Sequence, residues 1–376
     1  MSERIARFLA EQAPETPCLV VDLDVIVAAY EALRHYLPLA RIYYAVKANP
    51  AAEIVATLNR KGASFDVASR GEIGLCLGNG VAPDRLSFGN TIKKEKDIAY
   101  AYQAGVRLFA FDSAHELEKL ARVAPGASVF CRILVACDGA EWPLSRKFGC
   151  APEMAVELLR QARDAGLDPY GISFHVGSQQ TDLGQWDGAV GTAARMFSAL
   201  AEADINLRMV NIGGGFPARY SGEVPGVERY AQAVMAAITR HFGNDLPEII
   251  IEPGRSLVGD AGVIQSEVVL IAEKGGDDDR RWVYLDVGKF NGLAETMDES
   301  IKYRIATPGR RGSSGPVVLA GPTCDSADIL YEKTAYRLPL ALRVGDKVEI
   351  LSAGAYTASY ASVGFNGFDP IRTYCI

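Results

Sequence analysis

Between residues 41 and 255 the chain alternates two patterns, and this alternation constrains the fold more than any other feature of the sequence. Short β-branched or aromatic runs occur at RIYYAVK (41–47), SFDVAS (64–69), LSFGN (86–90), LFAFDS (108–113), SVFCRIL (128–134), GISFHVG (171–177), MVNIGGGF (209–216) and EIIIEPGR (248–255). Amphipathic stretches separate most of them. Ala51, Ile54, Val55 and Leu58 share one helical face, and Ser113 with Glu116 has capping-box spacing ahead of Leu117 and Leu120. The stretches 152–166 and 227–243 each end in Gly, a common helix stop. Eight strands alternating with helices predict an α/β fold, a parallel (β/α)8 TIM barrel, with a doubly wound open sheet as the competitor. The polar residues favour the barrel. Lys47, Asp66, Asn90, Asp112, Arg132, His175, Gly213 to Gly215 and Glu252 all fall at or near the carboxyl ends of their strands, the face where barrel enzymes place chemistry.

After about residue 261 helical periodicity weakens. VIQSEVVLIAEK (263–274), RWVYLDVG (281–288), PVVLAGP (316–322) and DKVEILS (346–352) are strand-like and separated by turn-rich segments. The expected division is a barrel over 22–261 and a C-terminal β domain over 262–376. Residues 1–21 are expected to pack on the β domain, with TPCLVVD (16–22), which precedes the barrel, returning to pair with it.

Charge and cysteine usage narrow the function. With 39 basic against 46 acidic side chains the net charge is −7, which argues against a general binder of nucleic-acid backbones. No apolar run reaches the ~20 residues that span a bilayer, and MSERIARFLAEQAPETP is too charged for a secretory signal. The seven cysteines are odd in number and show no zinc spacing, so neither a metal site nor a disulfide scaffold is expected, and a reducing cytoplasm is the natural setting.

Several residues carry possible chemistry, each beside a blander reading. Lys47 ends an apolar strand, where lost hydration would lower its pKa and favour a nucleophilic amine able to form a Schiff base; most lysines are simply solvated. Gly213-Gly214-Gly215 lets backbone N–H groups approach a phosphate, or makes a tight turn. It ends the seventh strand, and Glu252-Pro253-Gly254-Arg255 ends the eighth, where barrels frequently hold phosphate. Arg255 could add charge there or sit in a surface ion pair. Glu252, after three isoleucines, needs a proton-bearing partner such as a protonated heterocyclic nitrogen. His175 can stack on a flat ligand or serve as a structural hydrogen-bonding group. A carboxylate such as that of Asp325 does not activate an adjacent thiol as a nucleophile, so Cys324 suits a proton donor better, although most free cysteines are small apolar residues. Tyr356, in GAYT, could offer its hydroxyl to phosphate.

Taken in order, YYAVKANP, FDVAS, HVGSQ, IGGGFP, EPGRSLV, GPTCDSAD and GAYT resemble the pyridoxal-phosphate-dependent ornithine/diaminopimelate/arginine decarboxylase family, whose fold is that of alanine racemase. The resemblance runs from about residue 16 to the end of the sequence; WPLSRKFG and FNGF are most similar to the compact bacterial ornithine or lysine/ornithine branch. It implies pyridoxal 5'-phosphate held on Lys47, His175 stacked on its ring and Glu252 at the ring nitrogen. Ser178, Gly215, Gly254, Arg255 and Tyr356 match phosphate-binding positions, and Asp66 and Arg132 match supporting ones. Cys324 matches the proton donor and Asp325 the acceptor of the substrate's distal amine, with Asp286 a second tail contact. The last implication is a homodimer with shared active sites, into which Cys324 and Asp325 reach across the interface. The activity so implied is decarboxylation of L-ornithine to putrescine, with L-lysine to cadaverine as a second reaction. A meso-diaminopimelate decarboxylase and a non-catalytic regulator of polyamine metabolism are the alternatives.

Overall fold

The computed structural model describes residues 1–135, 140–142, 147–276 and 278–376. The chain forms two compact units. One comprises Val27–Pro217 and Val224–Gly254, the other Met1–Ile26, Ala218–Glu223 and Arg255–Ile376. The divisions fall at 26/27, 217/218, 223/224 and 254/255, so residues 255–261, expected at the end of the barrel, group with the β unit.

The first unit is a closed barrel of eight parallel strands: Ala40–Ala45, Ser64–Val67, Leu86–Phe88, Leu108–Phe111, Ser128–Arg132, Asp168–Ser173, Met209–Asn211 and Glu248–Ile251. Each lies within or overlaps one run read from the sequence. The eighth returns to the first, with Ile249 opposite Ala40 and Ile251 opposite Ile42, which rules out the open sheet. Tyr43, Ala110, Phe130, Met209 and Ile250 form one buried cluster from five different strands, so the barrel holds a packed core.

The surrounding helices follow their apolar faces. Ala52–Arg60 buries Ile54, Val55 and Leu58. Pro152–Asp164 and Val227–Phe242 are followed by Gly166 and Gly243, both with positive φ. One signal was misread. Ser113 does precede a helix, Ala114–Val123, but its side chain makes no cap hydrogen bond. Glu116, the expected reciprocal partner, is buried and paired with Lys93 instead, at 3.0 Å. Ser69 and Glu72 do the capping two helices earlier: the Ser69 hydroxyl accepts from the Glu72 N–H at 3.2 Å, and Glu72 accepts from the Ala68 N–H at 2.6 Å.

The second unit is built on an eight-stranded sheet. Cys18–Val21 pairs antiparallel with Gly262–Glu273 and parallel with Arg372–Cys375, as the early strand TPCLVVD suggested. The long strand Ile329–Pro339, not singled out from the sequence, pairs with Ser314–Ala320. The first helix, Glu3–Gln12, is capped by Ser2 and places Ile5 and Leu9 in a core with Cys18, Val20 and Val263. Among the described residues no helix is long and apolar enough to cross a membrane.

Candidate active site

Because the barrel strands are parallel, their carboxyl ends share one rim. Asp66 and Arg132 lie in the last residues of their strands. Asp112 and Glu252 follow theirs by one residue, and Lys47, Asn90, His175 and Gly213 by two. All eight positions predicted from the sequence are therefore on that rim.

Lys47 sits in a single turn, Val46–Ala48, whose two flanking side chains are fully buried. The turn is braced by Tyr44, whose hydroxyl donates to the Asn49 carbonyl at 2.8 Å, and by the Ala45 N–H donating to the Pro253 carbonyl at 3.1 Å. Lys47 itself is exposed, which corrects the expectation that the strand end dehydrates its amine. Its charge acts instead on its neighbours. Burial, reinforced by the positive charges of Arg132 and Lys47, drives the His175 pKa well below the ordinary histidine value. The imidazole is therefore neutral, consistent with Nδ1 accepting from the Gly177 N–H at 3.0 Å. Asp66, 5% exposed, shifts the other way: burial first, then the Glu252 carboxylate, raise its pKa well above the usual range, with Lys47 opposing. Its Oδ1 has no hydrogen-bond partner among the described residues. Arg132 extends its guanidinium 5.3 Å from the Phe148 ring.

Glu252 is held by a residue the sequence reading missed. Asn211, in the apolar strand just before the glycines, is 1% exposed; its amide donates to Glu252 Oε1, and its Oδ1 accepts from the Gly213 N–H at 2.9 Å. The Glu252 N–H in turn donates to the Gly213 carbonyl at 2.8 Å. The glycine run is thereby tied to both neighbouring strands. Gly213 (φ +70°) and Gly215 (φ +94°) adopt conformations that disfavour any other residue, and a Cβ on Gly214 would press on the Glu252 carbonyl at 2.6 Å. The Gln180 N–H donates to the Gly215 carbonyl at 2.9 Å, which sets the strand Ser178–Gln180 beside the run.

Arg255, Tyr356, Cys324, Asp325 and Asp286 belong to the second unit. Arg255 is 4% exposed and forms a bidentate pair with Glu295, both bonds 2.7 Å; it also donates to the Tyr220 hydroxyl at 2.7 Å. Its guanidinium lies 4.8 Å over the Tyr356 ring. The pair is buried, so the surface ion pair weighed from the sequence is not what the structure holds. Cys324 and Asp325 are exposed on one loop. The Cys324 N–H donates to Asn366 of the FNGF segment at 2.9 Å. Buried Asp328 anchors that loop, accepting from Thr323 Oγ1 at 2.7 Å and from the Lys289 N–H at 2.8 Å. Asp286 is engaged elsewhere: its carboxylate accepts from the Ser266 hydroxyl and the Glu267 N–H, inside the sheet. In the WPLSRKFG segment, residues 143–146 lie outside the described residues.

A barrel rim carrying an exposed lysine, a neutral imidazole, an amide-held carboxylate and a glycine run defines a class of protein, the barrel enzymes that hold an aldehyde cofactor on lysine. Comparison with known proteins narrows it. A family model for the pyridoxal-binding domain of pyridoxal-dependent decarboxylases matches residues 23–259. The lysine/ornithine decarboxylase of Selenomonas ruminantium is 35% identical over 370 residues, covering 98% of this chain and 91% of that one. The crystal structure of the Selenomonas ruminantium lysine decarboxylase aligns with a TM-score of 0.90 at 34% identity, over 100% of this chain and 96% of that one. The lysine/ornithine decarboxylase of Vibrio vulnificus complexed with cadaverine aligns at 0.88 and 32%, over 100% and 99%. The chain belongs to the pyridoxal-dependent decarboxylase family. It is an ornithine/lysine-type decarboxylase whose cofactor is pyridoxal 5'-phosphate. The site fits that cofactor on its own terms, since an orphaned buried Asp66 oxygen, the carboxylate of Glu252 and the glycine run match a planar, cationic, phosphorylated ring.

Proposed function

We propose that the protein decarboxylates L-ornithine to putrescine, and L-lysine to cadaverine as a second reaction, from active sites shared between two subunits. The observation that carries the chemistry is the Asn211–Glu252 pair at the ends of the seventh and eighth strands, beside neutral His175 and exposed Lys47. When bound, pyridoxal phosphate supplies an electron sink for the density left at the substrate Cα as carbon dioxide departs.

The chain's residues do the rest. Lys47 would hold the cofactor through its amine. Glu252, oriented by Asn211, keeps the proton on the ring nitrogen, which an arginine would not. Neutral His175 would face the ring without adding a competing charge. The N–H groups of Gly213 to Gly215, with Ser178, Gly254, Arg255 and Tyr356, hold the phosphate. Asp66 and Arg132 support the ring from the rim. Cys324 gives a proton to Cα, and Asp325 accepts the substrate's distal ammonium, both from the partner subunit. Asp286 would add the second tail contact, although its carboxylate already has two donors of its own.

Specificity rests on Asp325. Diaminopimelate decarboxylases resemble this chain but carry Glu there, matching a zwitterionic tail; Asp suits a plain ammonium. One methylene separates ornithine from lysine, a difference worth about 1–3 kcal/mol in a pocket. A substrate panel tests the reading. The expected kcat/KM for ornithine exceeds that for lysine by roughly 10- to 200-fold, with arginine and meso-diaminopimelate far behind. A preference for meso-diaminopimelate would overturn it.

A further inference from the structure

Two cysteines that the reaction does not use lie side by side next to Arg132. Cys131 is the penultimate residue of the fifth barrel strand, and Cys150 is joined to that strand's extension by a parallel bridge to Ile133. The Cys150 N–H donates to the Arg132 carbonyl at 3.1 Å, and the Leu134 N–H to the Cys150 carbonyl at 2.9 Å. This ladder sets the two thiols on one face. Their sulfurs are 3.6 Å apart, and the side chains are 0% and 6% exposed. Cys150 also points its thiol at the Arg132 carbonyl, again at 3.6 Å. A disulfide needs sulfurs about 2.05 Å apart, so modest side-chain rotation and a small shift of residue 150 would close the bond.

We propose that Cys131 and Cys150 form a reversible disulfide on exposure to a peroxide, and that closing it weakens cofactor binding by moving Arg132. The order of events follows from the two environments. The hydrogen bond from Cys131 holds the Cys150 pKa below the ordinary thiol value, whereas burial raises that of Cys131. Cys150 is the first nucleophile. Its thiolate attacks one peroxide oxygen; the S–O bond forms, the O–O bond breaks and hydroxide leaves, taking up a proton to become water. The Cys131 sulfur then attacks the resulting sulfenic acid. The S–S bond forms, the S–O bond breaks, and a second water departs with the Cys131 proton. Two thiols are oxidised by two electrons, and one peroxide is reduced to two waters. The ring so closed contains Arg132, whose charge acts on both His175 and Asp66.

The cofactor-free protein is treated with hydrogen peroxide and mapped by non-reducing peptide mass spectrometry, beside Cys150→Ser and Cys131→Ala variants. The expected result is a linked Cys131–Cys150 peptide, lost in both variants and reversed by a dithiol reductant. A bridge to Cys137, or oxidation confined to exposed Cys324, would overturn the assignment. Pyridoxal phosphate is then titrated into oxidised and reduced protein, by quenching of intrinsic fluorescence. An affinity several-fold lower after oxidation, restored by reductant and absent in Cys150→Ser, is expected; a linked peptide with unchanged affinity would overturn the coupling to Arg132. The mapping needs no cofactor, so it stands apart from the reading of the active site.

Discussion

Lys93 shows what a single side chain can cost the fold. Its side chain is fully buried, its Nζ donates to the Asn90 and Ala110 carbonyls at 2.8 and 2.6 Å, and Glu116 is its ion partner. Burial outweighs that partner and lowers its pKa to about 8. The unfolded chain therefore binds more protons between pH 8 and the ordinary lysine value of 10.5, and stability rises with pH across that window. The contribution, about 3 kcal/mol, is complete above the upper limit and lost as pH falls through 8. Lys93→Met removes the titrating group. Urea unfolding across this range should show wild type gaining about 3 kcal/mol relative to the variant. Parallel slopes for the two proteins would contradict it. The same balance of burial and charge, with opposite signs, keeps His175 neutral and Asp66 protonated more readily than an ordinary aspartate. Neither could be read from residue type, because both depend on which charges the barrel rim brings near.

Secondary-structure elements were legible where their own residues decide them. The eight strands and the glycine-stopped helices follow from local periodicity. Caps were less legible, because a polar side chain near a helix start can be claimed by something distant. Ser69 caps its helix with Glu72 in support, whereas Ser113 loses Glu116 to Lys93 and Lys119. Ser69→Ala should thus lower stability by about 1 kcal/mol, and Ser113→Ala by no more than about 0.5. Thermal unfolding of the two variants would distinguish them. The Cys324 loop depends on Asp328 in the same way. Gly288 and Gly321 both abut its carboxylate, where any Cβ would collide with it. Asp328→Ala leaves the Lys289 and Thr323 N–H groups without their acceptor, at about 1–3 kcal/mol each where buried. Cofactor absorbance should survive in that variant while turnover falls roughly 10- to 100-fold, since the Cys324 position loosens.

At the scale of the whole molecule, the proposed site draws, by the family resemblance, on two copies of the chain. Lys47→Ala and Cys324→Ala should each be nearly inactive, down by about 10²–10⁴-fold. Mixing the two variants tests the sharing. Random exchange of subunits leaves one intact site in each mixed dimer, so activity should recover to roughly a quarter of wild type. Recovery near zero, with exchange verified by mass spectrometry, would mean that each subunit supplies its own proton donor. Arg255 shows how the second unit prepares a charge. Its bidentate bond to Glu295 fixes the guanidinium through a partner forty residues away with no local signal.

The sequence alone determined the alternation that makes a barrel, the polar residues at its strand ends and the family motifs, because these depend on spacing of 2, 3.6 or a few residues along the chain. Closure of the sheet, the neutral state of His175, the raised pKa of Asp66, the Asn211 clasp on Glu252, the Glu295 grip on Arg255 and the meeting of Cys131 with Cys150 were decided only by tertiary structure. Each depends on burial or on a contact between residues distant in sequence. Local patterning carries no information about which of several polar partners will arrive, and electrostatic energies in a low-dielectric interior are set by that arrival.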